Sequence, residues 1–133
     1  MNTRRLSSLL LLATIAGCVA AAPAAAQGTR LLRHPTVSRD LVAFAYAGDL
    51  WTVGRAGGVA RRVTSTPTVE TEPRFSPDGT HIAFTATVAG NTDVYLVASA
   101  GGAPERLTYH PGVDRVRGWT PDGGAVIFGS ART

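Results

Sequence analysis

The sequence predicts an all-β fold, and three observations carry that expectation. From Arg30 onward, short apolar-alternating runs rich in β-branched and aromatic residues are separated by Gly, Pro, Asp and Asn. No segment holds a 3.6-residue apolar period for ten residues, so no long helix is expected. The stretch Arg74 to Phe84, RFSPDGTHIAF, returns as GWTPDGGAVIF at Gly118 to Phe128, which places Phe75 and Trp119, Asp78 and Asp122, and Phe84 and Phe128 each 44 positions apart.

The chain opens with a leader. Arg4 and Arg5 precede an apolar run, and small residues end in Ala24-Ala25-Ala26 before Gln27. This order is that of a secretory signal peptide, residues 1–26, with an A-x-A cleavage site. A competing reading takes IAGC, Ile15 to Cys18, as a lipobox with Cys18 lipidated. Either way the product is exported, to the periplasm or beyond. The run falls short of the roughly 20 apolar residues of a spanning helix, so no stable membrane span is expected. Cys18 is the only cysteine, so the exported part must be held by packing without a disulfide.

LVAFAY (Leu41 to Tyr46), DLWTV (Asp49 to Val53), HIAFTAT (His81 to Thr87), DVYLV (Asp93 to Val97) and AVIFG (Ala125 to Gly129) read as strands. In Ser76-Pro77-Asp78-Gly79, Pro pre-sets φ for a type I turn, Asp suits the next position, and Gly supplies the left-handed residue of a three-residue hairpin loop. Thr120-Pro121-Asp122-Gly123 repeats it. Trp51 and Tyr95 are also 44 apart, as are Gly57-Gly58 and Gly101-Gly102, the turns into fourth strands ending RRVT (Arg61 to Thr64) and ERLT (Glu105 to Thr108). The first copy is trimmed, with SRD for SPDGT and AYAGD for TATVAGNTD, and these length changes are expected in loops.

Four strands at a period of about 40–45 residues mark a β-propeller blade. Such a sheet buries its faces only against neighbouring sheets, so Phe75 and Trp119 are expected between blades. Blade one spans about 30–69, blade two about 70–111, and a partial blade three about 112–133. Two and a half four-stranded antiparallel blades fall short of the roughly 4–8 that close a ring. Residues 30–133 therefore read as an incomplete β-propeller within a longer polypeptide, poorly stable or association-prone alone.

Composition excludes several functions. Without Arg4 and Arg5, 11 arginines face 9 acidic residues, a net charge of +2, and the arginines are scattered apart from Arg61-Arg62. Nucleic-acid binding is not expected. There is no G-x-S-x-G or H-E-x-x-H, and His34, His81 and His110 have neither metal-ligand spacing nor a Cys partner. Asp78 and Asp122 read as turn residues, and Asp49 and Asp93 as caps on free backbone N–H groups. AGNTD, Ala89 to Asp93, reads as a flexible loop rather than an ion site. No catalytic, cofactor-binding or metal residue is assigned in this segment.

The Pro-Asp-Gly blade, with SPDGTHIAF, DVYLV, GG and RLT, resembles the repeat of TolB and of the N-terminal propeller of tricorn proteases. The opening blade, LLRHPTVSRDLVAFAYAGDLWTV from Leu31 to Val53, lacks the Pro-Asp-Gly turn and carries GDLW at Gly48 to Trp51. Together with ERLTYHPGVDRVRGWTPDG from Glu105 to Gly123, it is similar to the start of a tricorn-type peptidase. That resemblance implies a serine peptidase with two N-terminal propellers that filter peptide entry and product exit, a PDZ-like domain and a distant catalytic core. No position here matches its catalytic Ser, His or Glu. The implied partners are the remaining blades and catalytic domains of a longer chain, peptide substrates and further copies in a homo-oligomer. Two other readings remain open: a TolB-like periplasmic binding propeller, and a propeller attached to another hydrolase, of amidohydrolase or prolyl-oligopeptidase type.

Overall fold

A computed structural model describes residues 31–132; the expected leader and Cys18 lie outside them. The described elements are strands: β1 (Arg33–Val37), β2 (Leu41–Tyr46), β3 (Asp49–Gly54), β4 (Arg61–Arg62), β5 (Val69–Phe75), β6 (His81–Val88), β7 (Asn91–Ala98), β8 (Glu105–Arg106), β9 (Asp114–Trp119) and β10 (Val126–Ser130). They form three antiparallel sheets in simple meander order, β1-β2-β3-β4, β5-β6-β7-β8 and β9-β10. No described helix is long and apolar enough to cross a membrane.

The middle sheet buries both faces, and strand alternation sorts its side chains. Ile82, Phe84 and Ala86 of β6, with Val97 of β7, join Ala43, Ala45, Leu50 and Phe75 in one cluster against the first sheet. Ala83 and Val94 point the other way, to Val116, with Leu96, Leu107, Trp119 and Val126 packed around them. Phe75 and Trp119 thus lie between sheets, as their shared slot predicts. The Trp119 indole N–H also donates to the Arg74 carbonyl at 3.0 Å. β1 lies beside β5 and β5 beside β9, so the first strand of each sheet occupies a common inner edge.

The Pro-Asp-Gly hairpin differs from expectation by one residue. Its loop is four residues, Pro77 to Thr80, because the Ser76 N–H donates to the His81 carbonyl at 2.9 Å. The Ser76 carbonyl is taken by the Gly79 N–H at 2.9 Å, so the His81 N–H turns to the Ser76 Oγ at 3.0 Å. Thr120 does the same for Ala125, and Ser38 for Leu41 in the trimmed copy. Gly79 has φ +75°, and a Cβ there would come within 3.2 Å of the Ser38 Cβ. The turn is therefore both a left-handed position and a contact with the preceding sheet.

The second length change is not in a loop. Ala47-Gly48 and Ala89-Gly90 are both two-residue turns with positive φ at each residue, the type I′ geometry that suits a twisted hairpin. β6 and β7 are instead each two residues longer than β2 and β3. AGNTD is thus a tight turn and the start of a strand, not a flexible loop. The fourth strands are also shorter than RRVT and ERLT suggest, because Thr64 and Thr108 leave the ladder for buried side-chain bonds.

Phe84 is 1% exposed and stacks on Tyr95 with ring centroids 5.8 Å apart. Phe84→Ala should lower unfolding stability by about 3–5 kcal/mol, measured as a drop in the urea midpoint. A loss below about 1 kcal/mol would mean that the first two sheets are not held by this seam.

Candidate functional site

Polar residues concentrate in three places, and each is built by the repeat. The first is the hairpin turn. The Asp78 carboxylate accepts from Ser76 Oγ at 2.5 Å, Thr80 N–H at 3.0 Å and Thr80 Oγ1 at 2.8 Å. These donors, led by Ser76, hold its pKa down at about 2. Thr120 and the Gly124 N–H lower that of Asp122 in the same way. Both aspartates have the turn role their sequence position predicts.

The second is a clasp around the fourth strand. Arg62 pairs with Asp49 at 2.8 Å and Arg106 with Asp93 at 2.7 Å, and each guanidinium also donates to the carbonyl of the Thr two residues on. The Thr64 Oγ1 accepts the Leu50 N–H, and the Thr108 Oγ1 accepts the Val94 N–H. Asp49 and Asp93 are therefore ion-pair partners rather than the backbone caps expected from sequence. The overlooked signal was an Arg-x-Thr placed 13 residues after each Asp.

An acid from the following sheet completes the clasp. Glu70, 1% exposed on β5, accepts from Thr64 Oγ1, from Thr66 Oγ1 at 2.6 Å and from the Leu50 N–H at 3.2 Å. Asp114, fully buried on β9, stands 44 residues later beside Thr108 and pairs with Arg132 at 2.9 Å. Burial pushes the Glu70 carboxyl up from its usual 4.5, against the Thr64 and Thr66 hydroxyls, and Asp49 adds to the rise. Burial also pushes Asp114 up, but the Ser130 and Thr108 hydroxyls nearby and the bonded Arg132 outweigh it and leave that carboxyl below its usual value.

The third is the inner edge. β1 and β5 are bulged at His34-Pro35 and Glu72-Pro73, where the register shifts and His34 and Glu72 have φ of 51° and 54°. Proline has no N–H for a ladder, so a bulge accommodates it; that was the available sequence signal. The Glu72 N–H reaches the His34 Nδ1 at 3.4 Å, and its carboxylate accepts from Thr85 Oγ1 at 2.9 Å. Arg115 and Arg117 of β9 lie 3.6 and 4.0 Å from Glu72, and the Arg74 Nε reaches the Arg117 carbonyl at 3.4 Å. Arg33 on β1 is also exposed, and Arg74 is half-buried between the Pro73 and Arg117 carbonyls. Arginines therefore outnumber the one carboxylate at this edge.

The three histidines are not brought together. His34 serves the β5 bulge, His81 meets Thr80 Oγ1 at 2.8 Å, and His110 accepts the Gly112 N–H at 2.9 Å. Among the described residues no three of His, Cys, Asp or Glu are placed to hold a metal ion.

Residues 29–133 match the family described as the tricorn protease N-terminal beta propeller domain. Tricorn protease homolog 1 of Streptomyces coelicolor is 42% identical over 59 residues, 44% of this chain and 6% of that protein. The crystal structure of the tricorn protease is 30% identical at a TM-score of 0.63, over 70% of this chain and 10% of that one. TolB from Acinetobacter baumannii is 27% identical at a TM-score of 0.66, over 76% of this chain and 27% of that one. The chain therefore spans a small part of the length of each of these relatives.

Two buried or bonded carboxyls should act with opposite sign on stability. Glu70 holds its proton more tightly when folded, so its contribution falls as pH rises from 4.5 through the raised value. Glu70→Gln should remove that decline. Asp78, lowered from 3.8 to about 2, contributes above the higher value and loses that contribution as pH falls through the lower. Asp78→Asn should flatten this acid limb. Urea midpoints followed against pH check both, and matching slopes in variant and parent would refute the assignment.

The two clasps should also differ. The Asp93 side chain is 1% exposed and that of Asp49 11%. Arg106→Leu should therefore cost about 1–3 kcal/mol, and Arg62→Leu distinctly less, by the same denaturation measurement.

Proposed function

The chain belongs to the tricorn protease N-terminal β-propeller family, and from that premise we propose that residues 30–133 open the gating propeller of an exported, tricorn-like serine peptidase. The family match over residues 29–133 carries this reading. The segment's part is scaffold and filter. Its inner strands set Arg33, Arg74, Arg115 and Arg117 along one edge, a cationic border that would draw the carboxylates of passing peptides toward the axis. Bond cleavage belongs to a catalytic domain elsewhere in the parent polypeptide, which would work as a homo-oligomer on short peptides. The leader-like composition of residues 1–26 supports action outside the cytoplasm.

A second reading is favoured by the likeness to TolB, which extends over 76% of the chain. On that reading the propeller binds envelope partners and carries no peptidase. The repeat is common to both, so the rest of the reading frame must separate them.

The test is to express the whole reading frame that contains this segment and assay short fluorogenic peptides. Serine-peptidase activity blocked by an organophosphorus probe is the expected result. Arg115→Glu with Arg117→Glu should then slow hydrolysis of acidic peptides several-fold and spare neutral ones. A product without peptidase activity that retains envelope proteins would overturn the peptidase reading in favour of the binding one. The 133-residue chain alone should not cleave peptides.

A further inference from the structure

Asp78 and Asp122 are the aspartates of this chain that precede a glycine. An Asp-Gly pair is open to a reaction with its own side chain. Glycine carries no Cβ, so its amide nitrogen can approach the preceding carboxyl closely. Attack of that nitrogen on Cγ forms a C–N bond, and a carboxyl oxygen leaves with the amide proton as water. The product is a cyclic succinimide. Water then opens the ring at either carbonyl. Opening at Cγ restores aspartate, and opening at the backbone carbonyl leaves an isoaspartyl residue, with the main chain routed through the side chain. One water leaves and one enters, and nothing is oxidised or reduced.

While the hairpin turn is closed, both glycines are withheld from this reaction. The Gly79 N–H donates to the Ser76 carbonyl and the Gly123 N–H to the Thr120 carbonyl, each at 2.9 Å. The two turns differ in what keeps them closed. Asp78 is gripped by both oxygens: Oδ1 accepts from Ser76 Oγ at 2.5 Å and the Thr80 N–H at 3.0 Å, and Oδ2 accepts from Thr80 Oγ1 at 2.8 Å. Thr80 Oγ1 also meets His81 Nδ1 at 2.8 Å. Asp122 receives Thr120 Oγ1 at 2.5 Å and the Gly124 N–H at 3.0 Å on Oδ1 alone. Gly124 stands where Thr80 does, and a Cβ there would lie 3.5 Å from both Asp122 carboxylate oxygens. The space that a side chain fills over Asp78 is thus open over Asp122. Opening Gly123-Gly124 also releases more backbone freedom than opening Gly79-Thr80.

We propose that Asp122-Gly123 is a site of spontaneous succinimide and isoaspartyl formation, and that Thr80 keeps Asp78-Gly79 from the same reaction. The isoaspartyl form gives up the bonds from Thr120 and Gly124, and it loosens a turn whose Gly123 lies against Pro77 of the turn before it. The inference rests on turn chemistry and not on the peptidase reading, so either can fail while the other stands.

The test uses the whole reading frame that contains this segment, held for weeks at neutral pH and body temperature. Tryptic peptides 118–132 and 75–106 carry the two sites separately. Mass spectrometry with electron-based fragmentation distinguishes isoaspartate from aspartate in each, and labelling by an isoaspartyl methyltransferase with S-adenosylmethionine gives the total. Isoaspartate should accumulate at position 122 several-fold faster than at 78. Gly124→Thr should slow position 122 to the level of 78, and Thr80→Gly should raise 78 to the level of 122. Thr80→Ser, which keeps the hydroxyl, should leave Asp78 protected, and with Gly124→Thr it keeps the test valid if Thr80→Gly misfolds. In urea the two sites should react at similar rates. No isoaspartate at 122, equal rates at the two sites of the folded parent, or no slowing by Gly124→Thr would overturn the proposal. So would a difference that persists undiminished in urea, since the fold would then have no part in it.

Discussion

Phe84 is enclosed because β2 and β3 lie against its face of the middle sheet, while Val116 and Trp119 cover Ala83 and Val94 on the other. An antiparallel sheet has two faces, and a four-stranded one cannot cover either from within. Stacking is its remedy, and in this chain stacking dictates the composition. Small residues, Ala43 and Ala45, face the bulky Ile82 and Phe84 of the next sheet. The hairpin turns stack as well, Gly79 against Ser38 and Gly123 against Pro77, since a Cβ at either glycine would meet the turn before it.

A seam made of apolar contacts alone would permit sliding. The polar clasp supplies register. Leu50 offers its N–H to both Thr64 and Glu70, so one backbone group ties the third strand of one sheet to the first strand of the next. A buried carboxyl without those donors would be costly, and with them it selects one alignment. The second seam departs from this plan, because the Thr108 Oγ1 donates at 3.2 Å to Asp93 of its own sheet and the Val94 N–H goes to Thr108 alone. Asp114 lacks one methylene relative to Glu70, and Arg132 meets it in place of a Thr66-like hydroxyl.

Strand positions and sheet neighbours were legible because they rest on local alternation and on turn residues with few conformational options. Pro77-Asp78-Gly79 has narrow backbone choices and announces a turn, whereas Ala89-Gly90 reads as part of a flexible loop because its tight turn holds a non-glycine residue at positive φ. The clasp was harder to see. Asp49 and Arg62 meet only after three strands have folded, and an Asp before a strand has a simpler local reading. The inner edge was harder still, since Arg33, Glu72 and Arg117 belong to three sheets. Proline at 35 and 73 marked the bulges, but what a bulge presents depends on neighbours that a single strand does not reveal.

The repeat also separates architecture from specialisation. Where the copies agree, the residue holds the architecture: Phe75 and Trp119 pack between sheets, Asp78 and Asp122 bond within their own turns, and Thr64 and Thr108 accept the Leu50 and Val94 N–H groups. Where they differ, packing does not dictate the choice. Ala125 stands where His81 does, and Glu105 where Arg61 reaches the Ser99 and Ala100 carbonyls at 3.0 and 2.6 Å. At the bulges, His34 becomes Glu72, and arginines take over on β9. These inner-edge side chains are exposed or half-exposed, differ between copies, and sit on a backbone held in an unfavourable positive φ at two points. Repetition fixes the seams and the Asp-Gly turns, and the side chains it leaves free to vary include those of the inner edge.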